Sequence, residues 1–154
     1  MKRFLYLIPI ILLNCPFILK AKSLSDSILP GKNFDKALFR LWYPDDLKYI
    51  RGIIILMPGS KGDGRNSVDE VIWQKLAVAH DLALIGCYFT DRKHPYMDIE
   101  EYVNVKEGSG KALTDAIKHF AEKSYHPELD MAALLLWGHS AGGEFNHEFA
   151  CWKP

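Results

Sequence analysis

The stretch AALLLWGHSAGG, residues 132–143, joins a run of apolar residues to a serine that has glycines on either side. The apolar run, residues 132–137, is typical of a strand that is buried on both faces of a parallel sheet. Residues 141–152 follow with a helical pattern that places four apolar residues on one side: Ala141, Phe145, Phe149 and Trp152. The stretch therefore predicts a buried strand, a sharp turn at Ser140 and a helix.

The turn has the sequence Gly-His-Ser-Ala-Gly, residues 138–142, which matches the nucleophile-elbow pattern G-x-S-x-G. In that pattern a serine hydroxyl stands at the exposed end of a strand, and the flanking glycines relieve crowding of a strained backbone. We therefore predict Ser140 as a nucleophile, with Gly138 and Gly142 as the elbow glycines. The alternative is a tight strand-to-helix turn in which the serine has no chemical role.

Attack by a serine needs hydrogen-bond donors for the negative charge that develops on the substrate oxygen. The helix that begins at Ala141 directs its first amides and its dipole towards the serine, so the Ala141 N–H is the first predicted donor. A second donor is expected from the glycine-rich loop MPGSKGDG, residues 57–64, which follows an earlier strand. Ser60 is the best candidate in that loop, and Gly59 is the next. The loop does not have the spacing G-x-x-x-x-G-K-[ST] of a phosphate-binding loop.

Apolar runs and helical patterns alternate in the part of the chain before this turn. The predicted strands are residues 38–43, 52–57 and 82–88. The predicted helices are residues 68–80, where Ser67 and Glu70 have the spacing of a capping box, and residues 111–123. This alternation favours an α/β fold, with a mostly parallel sheet, helices on both faces, and ligands bound beyond the carboxyl ends of the strands.

Across residues 35–154 the chain resembles the N-terminal half of an α/β-hydrolase, on the basis of GIIILMPG (residues 52–59) and LLLWGHSAGG (residues 134–143). It is most similar to secreted serine esterases of the dienelactone-hydrolase and polyhydroxyalkanoate-depolymerase kind. The resemblance implies a fold truncated after the elbow helix, a Ser-Asp-His triad, and hydrolysis of a small-molecule ester through an acyl-enzyme at Ser140. No cofactor and no metal are predicted. One departure is at Pro58-Gly59, where the family more often has His-Gly.

The family triad, in which the acid and the histidine follow the serine, has no complete counterpart in this chain. The 14 residues after Ser140 contain no aspartate and one histidine, His147, which a helix would place about 10 Å along its axis. A general base must lie within about 3 Å of the hydroxyl or one water away, so His147 is not the predicted base. His94 follows the 82–88 strand at the active edge of the sheet, where it would either line the pocket or face solvent.

Three hypotheses about function follow from this pattern. The first is an exported serine esterase, represented here by its N-terminal half. The second is a catalytically incompetent fragment that lacks the triad aspartate and histidine. The third is a peptidase or thioesterase, because the same acyl-transfer chemistry serves several leaving groups. In the chain as given, the strand at residues 132–137 would lack the next strand of the family's sheet, and its open edge predicts self-association.

Residues 1–23 have the pattern of an export signal, with two basic residues, an apolar run and an A-x-S site that ends at Ser23. We therefore predict a signal peptide at residues 1–23, a partial hydrolase domain at residues 24–154, and a periplasmic or secreted protein. The alternatives are a lipoprotein with its lipid on Cys15 and a membrane anchor. No stable membrane span is expected, because residues 4–19 are fewer than the roughly 20 that a spanning helix needs.

The chain has 154 residues, of which 49% are apolar and 25% are charged, and this balance excludes a disordered or low-complexity protein. Basic and acidic side chains number 19 each, so no basic face for a nucleic-acid partner is predicted. The charged residues of 1–23 are all basic, which leaves residues 24–154 mildly acidic. Cys87 and Cys151 have no metal-binding spacing, and we expect two small core residues rather than a disulfide.

Overall fold

The computed structural model describes residues 20–91 and 100–153, which form a five-stranded sheet covered by three helices. The strands are β1 (Ala21–Ile28), β2 (Lys36–Pro44), β3 (Gly52–Met57), β4 (Leu82–Thr90) and β5 (Ala133–Gly138). The helices are α1 (Val71–His80), α2 (Ser109–Ser124) and α3 (Ala141–Trp152). His94 and most of the predicted signal peptide lie outside the described residues. Within them, no helix is both long and apolar enough to cross a membrane.

The sheet is mixed, which corrects the prediction of a mostly parallel one. Its strand order is β1-β2-β4-β3-β5, in which β4, β3 and β5 are parallel while β1 and β2 are antiparallel to their neighbours. The connections explain the difference. Long crossovers through α1 and α2 return the chain to parallel strands, whereas the short link of residues 29–35 joins β1 and β2 as antiparallel neighbours.

The sequence patterns do not predict β1, which begins inside the predicted signal peptide. Its residue Ser23 is paired with Trp42 of β2. The Ser23 hydroxyl donates to the Leu41 carbonyl at 3.0 Å and accepts from Arg40 Nε at 2.9 Å. Cleavage after Ser23 would therefore remove the first three residues of this strand and leave residues 24–28 to pair with β2.

Apolar side chains fill both faces of the sheet. The larger core lies between the sheet and the helices α2 and α3, and its large side chains include Phe39, Ile53, Ile55, Phe120 and Phe145. The smaller core lies beneath α1 and includes Trp42, Ile54, Ala77 and Leu84. Alternate residues of β2, β3 and β4 face opposite cores. The sheet therefore has helices on both faces, as the alternating pattern predicted.

The segment before α1 differs from the predicted capping box. Residues Gly64–Asp69 form a 3-10 turn, and the Asp63 carboxylate caps it by accepting from a backbone N–H of the turn at 3.0 Å. The apolar side chains of α1 are only partly buried, since Val71 is 62% exposed and Ile72 is 71% exposed. Ala77 is buried. The helix thus covers the sheet through a narrow contact and leaves much of its apolar surface exposed.

Cys87 and Cys151 are both free thiols. Cys87 is buried in β4, and burial raises the pKa of its thiol, which keeps it protonated. Cys151 is exposed on α3. The prediction of a core residue is therefore confirmed for Cys87 and wrong for Cys151, which lies outside the set of buried residues of α3.

Candidate active site

Ser140 occupies the turn between the end of β5 and α3, which begins at Ala141. Its backbone has φ 52° and ψ −130°, a strained conformation that is rare for a residue with a side chain. The Gly142 N–H donates to the His139 carbonyl at 3.0 Å and closes the turn. The strand, strained turn and helix that the pattern G-x-S-x-G requires are therefore all present.

Close backbone contacts surround Gly138 and Gly142, the two predicted elbow glycines. A Cβ at Gly142 would lie 2.4 Å from the carbonyl oxygens of Met57 and Pro58, at the end of β3. A Cβ at Gly138 would lie 2.7 Å from Asn146 Nδ2 and 2.8 Å from the Gly142 carbonyl oxygen. Neither position has room for a side chain, so the elbow packs directly against the end of β3.

The glycine-rich loop after β3 meets the elbow at Gly59. A Cβ at Gly59 would lie 3.4 Å from Ser140 Cβ and 3.0 Å from Nε2 of the adjacent His139. The Gly62 N–H donates to the Gly59 carbonyl at 2.9 Å, so the loop turns tightly at this contact. The structure thus brings Gly59 against the candidate nucleophile and places Ser60 next along the loop.

The predicted oxyanion donors lie on two elements that meet at Ser140. Ala141 is the first residue of α3, and the first turn of a helix has unsatisfied N–H groups and the positive end of the dipole. Gly59 and Ser60 lie in the loop that packs against the same turn. The turn at Ser140 and the loop therefore lie in contact, and the roles of their N–H groups stay predictions.

Ser60 has a side-chain contact that the sequence patterns did not reveal. Its exposed hydroxyl donates a hydrogen bond to the Glu100 carboxylate. Glu100 precedes the 3-10 turn Glu101–Val103, in which Tyr102 is buried. Burial, together with the nearby charges of Glu100 and Asp91, raises the pKa of Tyr102, so its phenol stays neutral. The contact joins residues 40 positions apart, and no local pattern could have indicated it.

Within the described residues, 20–91 and 100–153, no histidine or carboxylate is hydrogen-bonded to Ser140 Oγ. The His139 ring lies 5.9 Å from the Trp137 ring, and His147 is exposed on α3. Two other histidines pair with acidic side chains: His119 with Asp26 at 2.7 Å, and His126 with Glu128 at 2.8 Å. In the same part of the chain, no group of three or more metal-binding side chains is present.

Two hollows lie near the sheet, and one of them includes Glu100, the hydrogen-bond partner of Ser60. A cavity of about 420 Å³ has Glu100 in its wall, together with Lys32, Asn33, Glu101, Val103, Asn104 and Glu107. A second hollow, of about 430 Å³, lies between β5, α2 and α3. It is lined by the amino-terminal part of β5, whereas Ser140 follows the carboxyl end. The second hollow is therefore separate from the candidate site.

An α/β sheet with a serine at a strained strand-to-helix turn is the architecture of a hydrolase-like fold. No protein-family model and no curated protein matches the sequence. Solved structures do match. Vibralactone cyclase is similar with a TM-score of 0.56 at 13% sequence identity, over 89% of this chain and 38% of the cyclase.

A zinc-bound esterase, cold-adapted and from an Arctic intertidal metagenomic library, is also similar to this chain. Its TM-score is 0.50 at 13% sequence identity, over 87% of this chain and 55% of the esterase. The chain thus spans less than two thirds of the length of either neighbour. At this identity the likeness concerns the fold alone, and it supports a hydrolase-like α/β fold.

Proposed function

We propose that this chain carries the nucleophile of a serine hydrolase, Ser140, and acts on carboxylic esters through an acyl-enzyme. The observation that carries the proposal is the strained backbone of Ser140 between β5 and α3, with Gly59 packed against it. A strained serine at this kind of turn exposes its hydroxyl beside backbone N–H groups. The likeness of the fold to a solved esterase supports the same class of reaction.

In the proposed reaction, Ser140 Oγ forms a bond to the ester carbonyl carbon while the carbonyl π electrons move to oxygen. The hydroxyl proton passes to a general base, which the family resemblance assigns to a triad histidine. The N–H groups of Ala141 and of Ser60 or Gly59 stabilise the resulting oxyanion. Collapse of this intermediate breaks the bond to the alcohol, which leaves with the proton. Water then releases the acid from Ser140 by the same steps.

A second candidate is a catalytically incompetent hydrolase chain. The observation that favours it is that no histidine or carboxylate in the described residues is hydrogen-bonded to Ser140 Oγ. Without a base, a serine hydrolase keeps only the rate enhancement from binding and from the oxyanion donors, and loses several orders of magnitude in rate. Such a chain would bind esters and release little product.

Hydrolysis assays on the purified full chain test these two candidates. We expect p-nitrophenyl butyrate to be hydrolysed faster than in buffer, and Ser140→Ala to abolish the excess rate. Ser27→Ala, an exposed serine on β1, is the matched control and should keep the full rate. Thioester and peptide substrates measured beside the ester separate an esterase from a thioesterase or peptidase. Excess hydrolysis that survives Ser140→Ala would contradict the proposal, and no excess in any chain would favour the second candidate.

We also propose that residues 1–23 are an export signal, on the basis of their charge and apolar pattern. Cleavage after Ser23 would still leave Asp26, which is hydrogen-bonded to α2, in the mature chain. The intact mass of the protein recovered from a secreting bacterial host tests this proposal. A mass equal to residues 24–154 is expected, and a full-length or lipid-modified mass would contradict it.

A further inference from the structure

The loop after β3 carries a predicted oxyanion donor on a segment with much backbone freedom. It contains Gly59, Gly62 and Gly64, and glycine permits more conformations than any other residue. Both ends of the segment are fixed: Gly59 packs against the elbow, and a Cβ at Gly64 would lie 2.6 Å from a carbonyl oxygen of β3. Ser60 and the exposed Lys61, which has φ 59°, lie between these ends. A contact from outside the segment adds to its internal turn and helps a donor on it to keep its position.

The Ser60 hydroxyl provides a contact of this kind, because it donates to the Glu100 carboxylate. Hydrogen bonds to a charged acceptor are stronger than those between neutral groups. The contact links the loop to the segment before α2, which belongs to a different part of the chain. It therefore restrains the residue whose backbone N–H is the best candidate for the second donor.

The segment that contains Glu100 is itself held by buried polar groups. Asn33, which is 5% exposed, donates from Nδ2 to the Glu101 carbonyl at 3.0 Å and to the Asn104 carbonyl at 2.8 Å. The buried Ser109 hydroxyl donates to the Tyr102 carbonyl at 2.6 Å. These bonds fix the 3-10 turn that directly follows Glu100. The carboxylate is therefore attached to a rigid part of the fold rather than to a free loop.

We propose that Glu100 is a positioning residue, which holds the Ser60 side chain and thereby fixes the Ser60 N–H beside Ser140. Glu100 does not touch the reacting atoms in this proposal. It acts through Ser60, so breaking the bond should weaken stabilisation of the transition state and leave binding of the substrate nearly unchanged. The inference rests on the proposed role of Ser140.

The test measures how fast a fluorophosphonate labels Ser140 in the full chain, and the kcat and KM of ester hydrolysis where turnover is detected. The variants Ser60→Ala and Glu100→Ala each remove the bond, and the double variant removes both partners. Ser60→Thr keeps a hydroxyl, and Glu100→Gln keeps an acceptor oxygen without the charge. Glu101→Gln, an exposed neighbouring carboxylate, is the matched control. Thermal unfolding of each variant reports whether it is folded.

Each single alanine variant should be labelled about tenfold more slowly, a smaller loss than the hundredfold or more caused by deleting an oxyanion donor. The double variant should be no slower than either single variant, because both remove the same bond. Ser60→Thr and Glu100→Gln should recover most of the rate, and Glu101→Gln should label like the unsubstituted chain. Where turnover is measured, kcat should fall while KM stays within about twofold.

Equal labelling of Glu100→Ala and the unsubstituted chain would overturn this inference and leave the proposed function intact. Losses that multiply in the double variant would also overturn it, because Ser60 and Glu100 would then act independently. No labelling of Ser140 in the unsubstituted chain would overturn both the inference and the proposed function. If Glu100→Ala unfolds, Ser60→Ala with its Ser60→Thr rescue decides the question, because it truncates an exposed side chain.

Discussion

The two outer strands of the sheet are held in place by different interactions. β5 is apolar, and its residues Leu135 and Trp137 are 48% and 42% exposed. In β1, exposed serines alternate with half-buried residues, and one of these, Asp26, has a side chain that is only 8% exposed and hydrogen-bonded to α2. The partners of Asp26 are His119 at 2.7 Å and Lys123 at 2.5 Å.

The β1 edge is therefore held by charged hydrogen bonds, whereas the β5 edge is held by close backbone contacts. Inward-facing charges such as Asp26 discourage an edge strand from pairing with another chain. β5 carries apolar residues and has no inward-facing charge. It is fixed instead at its carboxyl end, where Gly138 and Gly142 allow the turn at Ser140 to pack against β3. The edge that carries Ser140 is therefore the one that depends on backbone contacts without room for side chains.

Gly142→Ala should have the largest effect on stability, because the added Cβ would meet two carbonyl oxygens at 2.4 Å. We expect the free energy of unfolding in urea to fall by about 3 kcal/mol. Gly143→Ala is the matched control, since the nearest atom to its Cβ is 3.6 Å away and alanine favours a helix over glycine by up to about 1 kcal/mol. Equal losses in the two variants would contradict the importance of backbone fit at β5.

Asp26→Asn tests the charged edge, with an expected loss of about 1–2 kcal/mol at neutral pH. Burial alone would raise the pKa of Asp26, but hydrogen bonds from Lys123 and His119 outweigh it and hold the pKa below its usual value. Because the pKa is lower in the folded chain, the stabilisation is present above the unfolded value of about 3.9 and is lost as the pH falls through the folded value.

The free energy of unfolding of both chains, measured from pH 3 to pH 7, checks this second prediction. The difference between them should be constant above about pH 5 and should narrow below about pH 4. A difference that stays constant down to pH 3 would show that the ionised carboxylate of Asp26 does not stabilise β1.

Leu135→Lys should have the smallest effect on stability, within about 1 kcal/mol, because this side chain is half exposed. Its effect should instead be on self-association through the β5 edge, which a charge disfavours. Sedimentation velocity should show concentration-dependent association of the unsubstituted chain and less association of Leu135→Lys. Ser25→Lys, at an exposed position of β1, should associate like the unsubstituted chain. A monomeric unsubstituted chain at all concentrations would contradict the prediction.

The sequence predicts the parallel part of the fold well, because its signals are local. The bounds of β3 and α3 are confirmed, since a β-branched apolar run and a glycine-flanked serine each mark an element directly. β1 is missed because its serines alternate with Leu24 and Ile28, a pattern too polar for a buried strand and partly inside the predicted signal. The antiparallel pairing of β1 and β2 follows from the short link of residues 29–35, and it is missed because β1 itself is missed.

In the candidate site, too, the sequence predicts the features that depend on local residues and misses a contact between distant segments. The motif predicts Ser140 and its strained turn, and the loop position predicts Gly59 and Ser60. The structure brings these residues together and leaves their roles as predictions. The Glu100 contact could not be predicted, because it depends on where the segment before α2 is fixed by Asn33. Local backbone chemistry is visible in the sequence, whereas contacts between distant segments need the fold.

Mapping the adduct of a fluorophosphonate by mass spectrometry tests the role of Ser140 most directly. The full chain should carry one adduct, located on the peptide that contains Ser140, and Ser140→Ala should carry none. The adduct should also be absent after the chain is unfolded in urea, because labelling depends on the N–H groups of the folded elbow. An adduct on another residue, or equal labelling of the folded and unfolded chains, would contradict the assignment of Ser140 as the nucleophile.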